Sequence, residues 1–213
     1  MSVITSNAGF LLQGFATNAL LAALAIPAGL ILALPLAAAR LSHRAILFYP
    51  ATLFINGLRS MPLLMVLFWL YFLTPIIFGQ ETGAFNSAVF GLAIFEAAYF
   101  AEIVRGGIES VSRGQALAGL ATGLRPLDVY VRIILPQAVR NMRPSLLTQS
   151  IIAFQDTTLA SILGVVDVDQ AAKIVNQREL QPGPLYSAIA VLYFGVCFTL
   201  SRGVARLDRR NAV

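Results

Sequence analysis

Charge is scarce in this chain. Only 12% of its 213 residues are Asp, Glu, Lys or Arg, against about 25% in soluble domains. Histidine is nearly absent: His43 stands alone in a short polar turn, which excludes a histidine-based metal or catalytic centre. The single cysteine, Cys197, lies in an apolar run, cannot close an internal disulfide and reads as packing. No Ser/His/Asp set, metal-ligand spacing or phosphate-cradling glycine loop occurs. Gly106-Gly107 follows a helical pattern without the Lys and Ser/Thr that a nucleotide loop needs. An enzyme is therefore not expected, and energy for work against a gradient must come from another chain. No basic segment precedes the first apolar run, so the first span is expected to be retained rather than cleaved.

Apolar sequence is what the chain has in abundance. Hydrophobic residues make up 58% of it, and the mean hydropathy is +0.78. Several runs approach the roughly 20 residues that cross a bilayer core. The expected class is all-α, a polytopic membrane protein with five transmembrane helices. The spans read as about 16–39, 62–78, 85–104, 144–165 and 185–204. Leu47 to Leu58 is too short to cross and reads as an interfacial piece, and 167–184 reads as a polar connection. The formal charge of +5 sets orientation rather than recruiting nucleic acid. Placing the 40–44 turn, Arg59, the 105–143 loop, Arg202 and the tail on one side leaves only Lys173 and Arg178 on the other. The positive-inside rule puts the basic side in the cytoplasm, with the N-terminus out and the C-terminus in. An odd number of spans demands termini on opposite sides, so the two arguments agree.

Three polar features interrupt the oil. The first is Gly114 to Arg140, GQALAGLATGLRPLDVYVRIILPQAVR, where Leu124, Leu127, Tyr130, Val131, Ile134 and Leu135 recur at helical spacing. Pro126 suits the first turn of a helix there, and Pro136 suits its end. The second is the third span, with Glu96 near its middle and Glu102, Arg105, Glu109 and Arg113 stepping down one face as a salt-bridge ladder. Glu96 points away from that face and either lines a path or caps a polar contact between helices. The third is the fourth span, where Gln149 and Asp156 share a face, as do Thr148 and Gln155, followed by Thr157 and Thr158. Such groups face a partner helix or a wet cavity, not lipid. Arg59, before the second span, reads as an interfacial anchor.

These residues resemble a family. Gly123, nine further residues and then Ile133-Ile134-Leu135-Pro136 match the EAA loop of inner-membrane permeases of binding-protein-dependent ABC importers. Gly114-Gln115, Gln137-Ala138, Arg59-Ser60-Met61-Pro62-Leu63, Glu96-Ala97-Ala98-Tyr99, Glu102-Ile103-Val104-Arg105-Gly106-Gly107 and Phe154-Gln155-Asp156-Thr157-Thr158 are similar to its polar amino acid branch, and to glutamate/aspartate permeases within it. Two positions depart. The acidic residue of the EAA triplet is missing, since Leu117-Ala118-Gly119 stands there, and Gln155 occupies a position where many relatives carry Lys.

The resemblance implies one transmembrane domain over 1–213, with a type I importer-like core and a cytoplasmic coupling loop over 106–143. It implies a second permease subunit, a cytoplasmic ATPase dimer that uses ATP and magnesium, and a periplasmic amino-acid-binding protein. This chain itself would bind no cofactor or metal, and would sit in the bacterial inner membrane. The implied ATPase-coupling residues are Gly114, Gln115, Gly119, Gly123, Leu124, Leu127, Ile133, Leu135 and Pro136. Glu96, Gln149, Gln155, Asp156 and Thr157 are the candidates for the substrate path. The rival expectation is a self-contained, ion-coupled carrier or channel whose carboxylates bind the ion.

Overall fold

A computed structural model describes residues 2–79 and 83–211 of the chain. The described residues are helical throughout their regular structure, with no strand among them. A short α1 (Ser2–Ser6) precedes α2 (Ala8–Arg40). The amphipathic α3 (Ala45–Arg59) meets α4 (Leu63–Phe78) at a bend of 113°. Then come α5 (Ala84–Glu109), α6 (Arg113–Ala121) and α7 (Pro126–Val129). A π-helical turn (Tyr130–Ile134) joins α7 to α8 (Leu135–Asp156), and a 3-10 segment (Thr157–Leu163) follows. The chain closes with α9 (Val168–Glu179) and α10 (Pro182–Asn211).

Three helices are long and apolar enough to cross a membrane by themselves: α2, α5 and α10. The number rises to five if the bent pairs α3–α4 and α7-to-3-10 with α9 each count as one span. The positions of the apolar runs match the sequence expectation. The segment from Leu47 to Leu58, expected as an interfacial or helix-entry piece, lies within the 15-residue α3. Three details differ from expectation. The connection at 167–184 contains α9, capped by Asp167, whose side chain accepts from the Gln170 N–H. The fourth span begins before Pro144, which lies inside α8, and its last part winds as a 3-10 helix. Pro136 does not end a helix but sits in the first turn of α8. A proline there has no N–H to contribute, and the preceding turn absorbs the offset by widening, with the Leu135 N–H reaching the Tyr130 carbonyl.

The centre of the molecule is α5, packed against α2, α3, α4, α8 and the 3-10 segment. Its buried face is mostly small: Ser87, Ala88, Gly91, Ala93, Ala97, Ala98 and Ala101. Small residues let backbones approach closely where lipid supplies no hydrophobic drive between helices. One such approach is at Gly29 of α2, where a Cβ would stand 3.1 Å from the Ala93 carbonyl and 3.2 Å from the Glu96 Cβ. Bulkier residues fill the rest: Leu21, Leu67, Leu92 and Phe95 in one cluster, Ile55, Phe100, Val104 and Met142 in another. Cys197 packs with Ala22 and Phe154, as its apolar setting implied.

Candidate functional site

Glu96 and Glu102 of α5 part company as their spacing implied. Glu96 is fully buried. Its Oε2 accepts a 3.0 Å hydrogen bond from the Gln149 Nε2 of α8, while its Oε1 has no hydrogen-bond partner. A buried carboxylate left half-satisfied is costly in an apolar setting. The pair thus joins two candidates that lie 53 residues apart. Asp156, two turns beyond Gln149, is half-buried, whereas Thr148 and Gln155 are exposed. Thr157 is turned inward: it is 1% exposed, its Oγ1 donates to the Phe154 carbonyl at 2.7 Å, and it accepts from the Asn18 Nδ2 at 3.1 Å. Sequence reasoning missed Asn18. The signal was an amide within the first apolar span, about 16–39.

At the other end of α5, Glu102 is the hub of an arginine cluster. The Arg105 Nε donates to the Glu102 Oε1 at 3.1 Å, and Arg105 also pairs with Glu109. The ladder stops there, because α5 ends at Glu109 and Arg113 begins a separate helix. Arg40 from the end of α2 and Arg59 from the end of α3 take its place, 3.5 and 3.9 Å from Glu102. Arg59 also lies over the Tyr99 ring, 5.3 Å from its centroid, so it is a packed member of the cluster rather than a freely snorkelling anchor.

The Gly114–Arg140 stretch folds as α6, a turn, α7 and the π-helical turn. Ser112 caps α6, its side chain accepting from the Gly114 N–H. Gly123 has φ +82°, a left-handed conformation just past the end of α6 that favours glycine. A Cβ at Gly123 would meet nothing, so its requirement is conformational rather than spatial. Gly119 is the reverse. It is buried, and a Cβ would stand 2.7 Å from Ile133 Cδ1 and 3.0 Å from Val129 Cγ2. It keeps α6 against the π-helical turn, and Ile133 turns toward it. Leu117, Leu120, Leu127, Tyr130 and Val131 are exposed, as are Gly114, Gln115 and Pro136, while Leu124 and Leu135 are half-buried.

Among the described residues, no group of three or more His, Cys, Asp or Glu side chains could hold a metal. The cavities are apolar grooves. One of about 530 Å³ lies between α2, α8 and α10, and another of about 460 Å³ lies between α3 and α4.

The buried carboxylate–amide pair between long apolar helices, with an ordered polar loop carrying an exposed apolar patch, defines a polytopic membrane transport component. The chain belongs to the family of binding-protein-dependent transport system inner membrane components, whose model matches residues 25–213. It is 36% identical to the glutamate/aspartate import permease protein GltK of Escherichia coli O6:H1, covering 99% of this chain and 97% of that protein. It is 32% identical to the glutamine transport system permease protein GlnP of Escherichia coli K12, over 95% of this chain and 93% of the relative. The arginine ABC transporter permease protein ArtQ of Haemophilus influenzae is 33% identical over 76% of each chain. In a crystal structure of an amino acid ABC transporter with histidines, one chain is 28% identical and superposes with a TM-score of 0.91, covering 97% of this chain and 96% of that one. A chain of the MetNI methionine ABC transporter, 18% identical, shares the fold with a TM-score of 0.79, covering 96% of this chain and 97% of that one.

Proposed function

We propose that this chain is the membrane-spanning permease subunit of an ATP-driven amino acid importer, with five spans, an outside N-terminus and a cytoplasmic C-terminus. It is not itself an enzyme. ATP and magnesium are used by a separate cytoplasmic ATPase dimer, and a periplasmic binding protein delivers the amino acid. A second permease subunit completes the membrane part in the bacterial inner membrane. The observation that carries this reading is the exposed apolar patch of Leu117, Leu120, Leu127, Tyr130 and Val131 on a capped, ordered loop. Its chemistry suits a groove on a soluble partner.

The coupling segment spans residues 106–143, with Gly114, Gln115, Gly119, Gly123, Leu124, Leu127, Ile133, Leu135 and Pro136 forming or supporting the docking face. Closure of the ATPase dimer shifts that face, and the attached helices switch access to a polar path. Glu96, Gln149, Gln155 and Asp156 supply the path's polar groups, with Thr157 holding the turn behind them. The relatives with glutamate/aspartate and glutamine in their names favour a polar or acidic amino acid. Among the described residues no Lys or Arg forms an ion pair with Glu96, so an acidic substrate would find its donors in Gln149 and Gln155 or on the second subunit.

The test is uptake by the reconstituted complex with acidic, neutral and basic amino acids competing. Competition by glutamate and aspartate is expected, and competition by arginine or histidine alone would reject the acidic assignment. Transport by the purified chain without ATP would instead establish an ion-coupled carrier, with Glu96 as its ion site.

A further inference from the structure

The buried polar groups on the other side of the 3-10 segment form a single closed network. Asn18 is fully buried in α2, and all of its hydrogen-bonding groups are used. Its Nδ2 donates to the Thr157 Oγ1 at 3.1 Å and to the Asp167 Oδ2 at 3.2 Å, and its Oδ1 accepts from the Val168 N–H at 3.0 Å. Asp167, itself fully buried, spends its other oxygen on the Gln170 N–H at 2.9 Å. One turn before Asn18, Gly14 lies so close to this connection that a Cβ would stand 2.7 Å from the Asp167 carbonyl oxygen and 2.8 Å from the Val168 Cα. Both obstacles are backbone, so they cannot swing aside. Thus α2 is fastened to the start of the 3-10 segment at Thr157 and to the start of α9 at Asp167.

The fastening falls where the winding changes. Asp156 is the last α-helical residue and Thr157 the first in the 3-10 segment. An α-helix turns about 100° per residue and a 3-10 helix about 120°. Moving that boundary by one residue therefore re-aims the neighbouring side chains by about 20°. The Thr157 Oγ1 closes the last α turn by donating to the Phe154 carbonyl, and Asn18 holds that hydroxyl from outside. We propose that Asn18 is a positioning residue, which sets where α8 gives way to the 3-10 segment and so aims Gln155 and Asp156 into the substrate path. The inference rests on the path reading given above, but it assigns a role to a residue that touches no substrate.

The experiment uses the complete complex in proteoliposomes, with L-glutamate, L-glutamine and L-arginine as probes. Uptake is expressed per assembled complex. Asn18→Leu removes all three bonds, and Asn18→Asp sets a second carboxylate against Asp167. The exchange Asn18→Asp with Asp167→Asn restores a complementary pair and keeps a good helix cap, since Asn caps as well as Asp, but leaves position 18 with no donor for the Thr157 Oγ1. Expected for each Asn18 single variant is an uptake lower by about tenfold, with a changed ratio among the three probes. The exchange variant should assemble at the parental level yet keep the lowered rate and the changed ratio, because position 18 no longer donates to Thr157. A purely structural role would lower the amount of complex and leave the ratio alone, and that result overturns the proposal. An exchange variant that recovers the parental rate and ratio also overturns it. Asp156→Asn runs in parallel: an unchanged probe ratio there rejects the path reading itself. A changed ratio there with silent Asn18 variants rejects only the positioning role.

Discussion

Replacing Glu102 by Gln tests the arginine cluster with the least change of shape. The side chain keeps its volume but loses the charge that faces Arg105, Arg40 and Arg59. The Arg105 bond is charge-assisted, and such bonds contribute about 1.5–3 kcal/mol. The Arg40 and Arg59 contacts are longer, at 3.5 and 3.9 Å, and their side chains are 15% and 36% exposed. At that exposure each is worth no more than about 0.5–1 kcal/mol. Arg105 retains Glu109 in the variant, which offsets part of its loss. Arg40 retains nothing comparable, because its Nη1 is already buried without a hydrogen-bond partner. The net expectation is a destabilisation of about 2–3 kcal/mol. For a chain of this size that corresponds to a midpoint lower by roughly 5–10 °C. The assay is thermal unfolding of the detergent-solubilised complex, followed by size-exclusion chromatography. A double-mutant cycle with Arg40→Gln should return a coupling of about 0.5 kcal/mol or more. A Glu102→Gln complex that melts within a degree of the parent, with no coupling to Arg40, would refute the cluster's structural weight.

Three further outcomes concern the loop. Gly119→Val drives a side chain into Ile133 and Val129 and should cost about 1–3 kcal/mol of local packing; uptake falls while membrane insertion, measured by blotting, stays normal. Gly123→Ala should weaken the α6 end by about 1 kcal/mol and Gly123→Asn by less, because Asn tolerates the left-handed region; Gly123→Arg blocks uptake, and equal activity of all three variants would remove the backbone argument. Leu127→Asp, at a residue 73% exposed, should leave the permease's melting temperature unchanged yet lose co-purifying ATPase; retention of the ATPase argues against the patch as its docking face.

Periodicity and charge made much of this legible in the sequence. The apolar runs located the long helices, and helical spacing separated Glu96 from Glu102. The loop's regularity announced ordered structure around Leu124, Leu127 and Tyr130. What stayed hidden depended on contacts across long sequence distances or on small changes of winding. Arg40 and Arg59 read as interfacial charges until three helix ends converged on Glu102. Asn18 meets partners 139 to 150 residues away, which no local pattern reveals. Pro136 looked like a terminator because a proline normally breaks the ladder, and only a wide turn before it allows the helix to run on. Gly119 and Gly123 looked alike in sequence, yet one is required for space and the other for its φ angle.

The continuity of the helix across that wide turn has a mechanical consequence. From Pro126 to Leu163 the backbone stays helical without interruption. Leu127 at one end and Asp156 at the other are thus ends of a rod about 40 Å long. With the loop held by a partner, a tilt of about 5° at the patch displaces the polar end by about 3–4 Å. Such a lever transmits force only as well as its softest points allow, and two are evident: the π-helical turn and Pro144, which interrupts the hydrogen-bond ladder of α8. On the proposed coupling role of the loop, the stiffness of those two places sets how faithfully a push at Leu127 reaches Asp156.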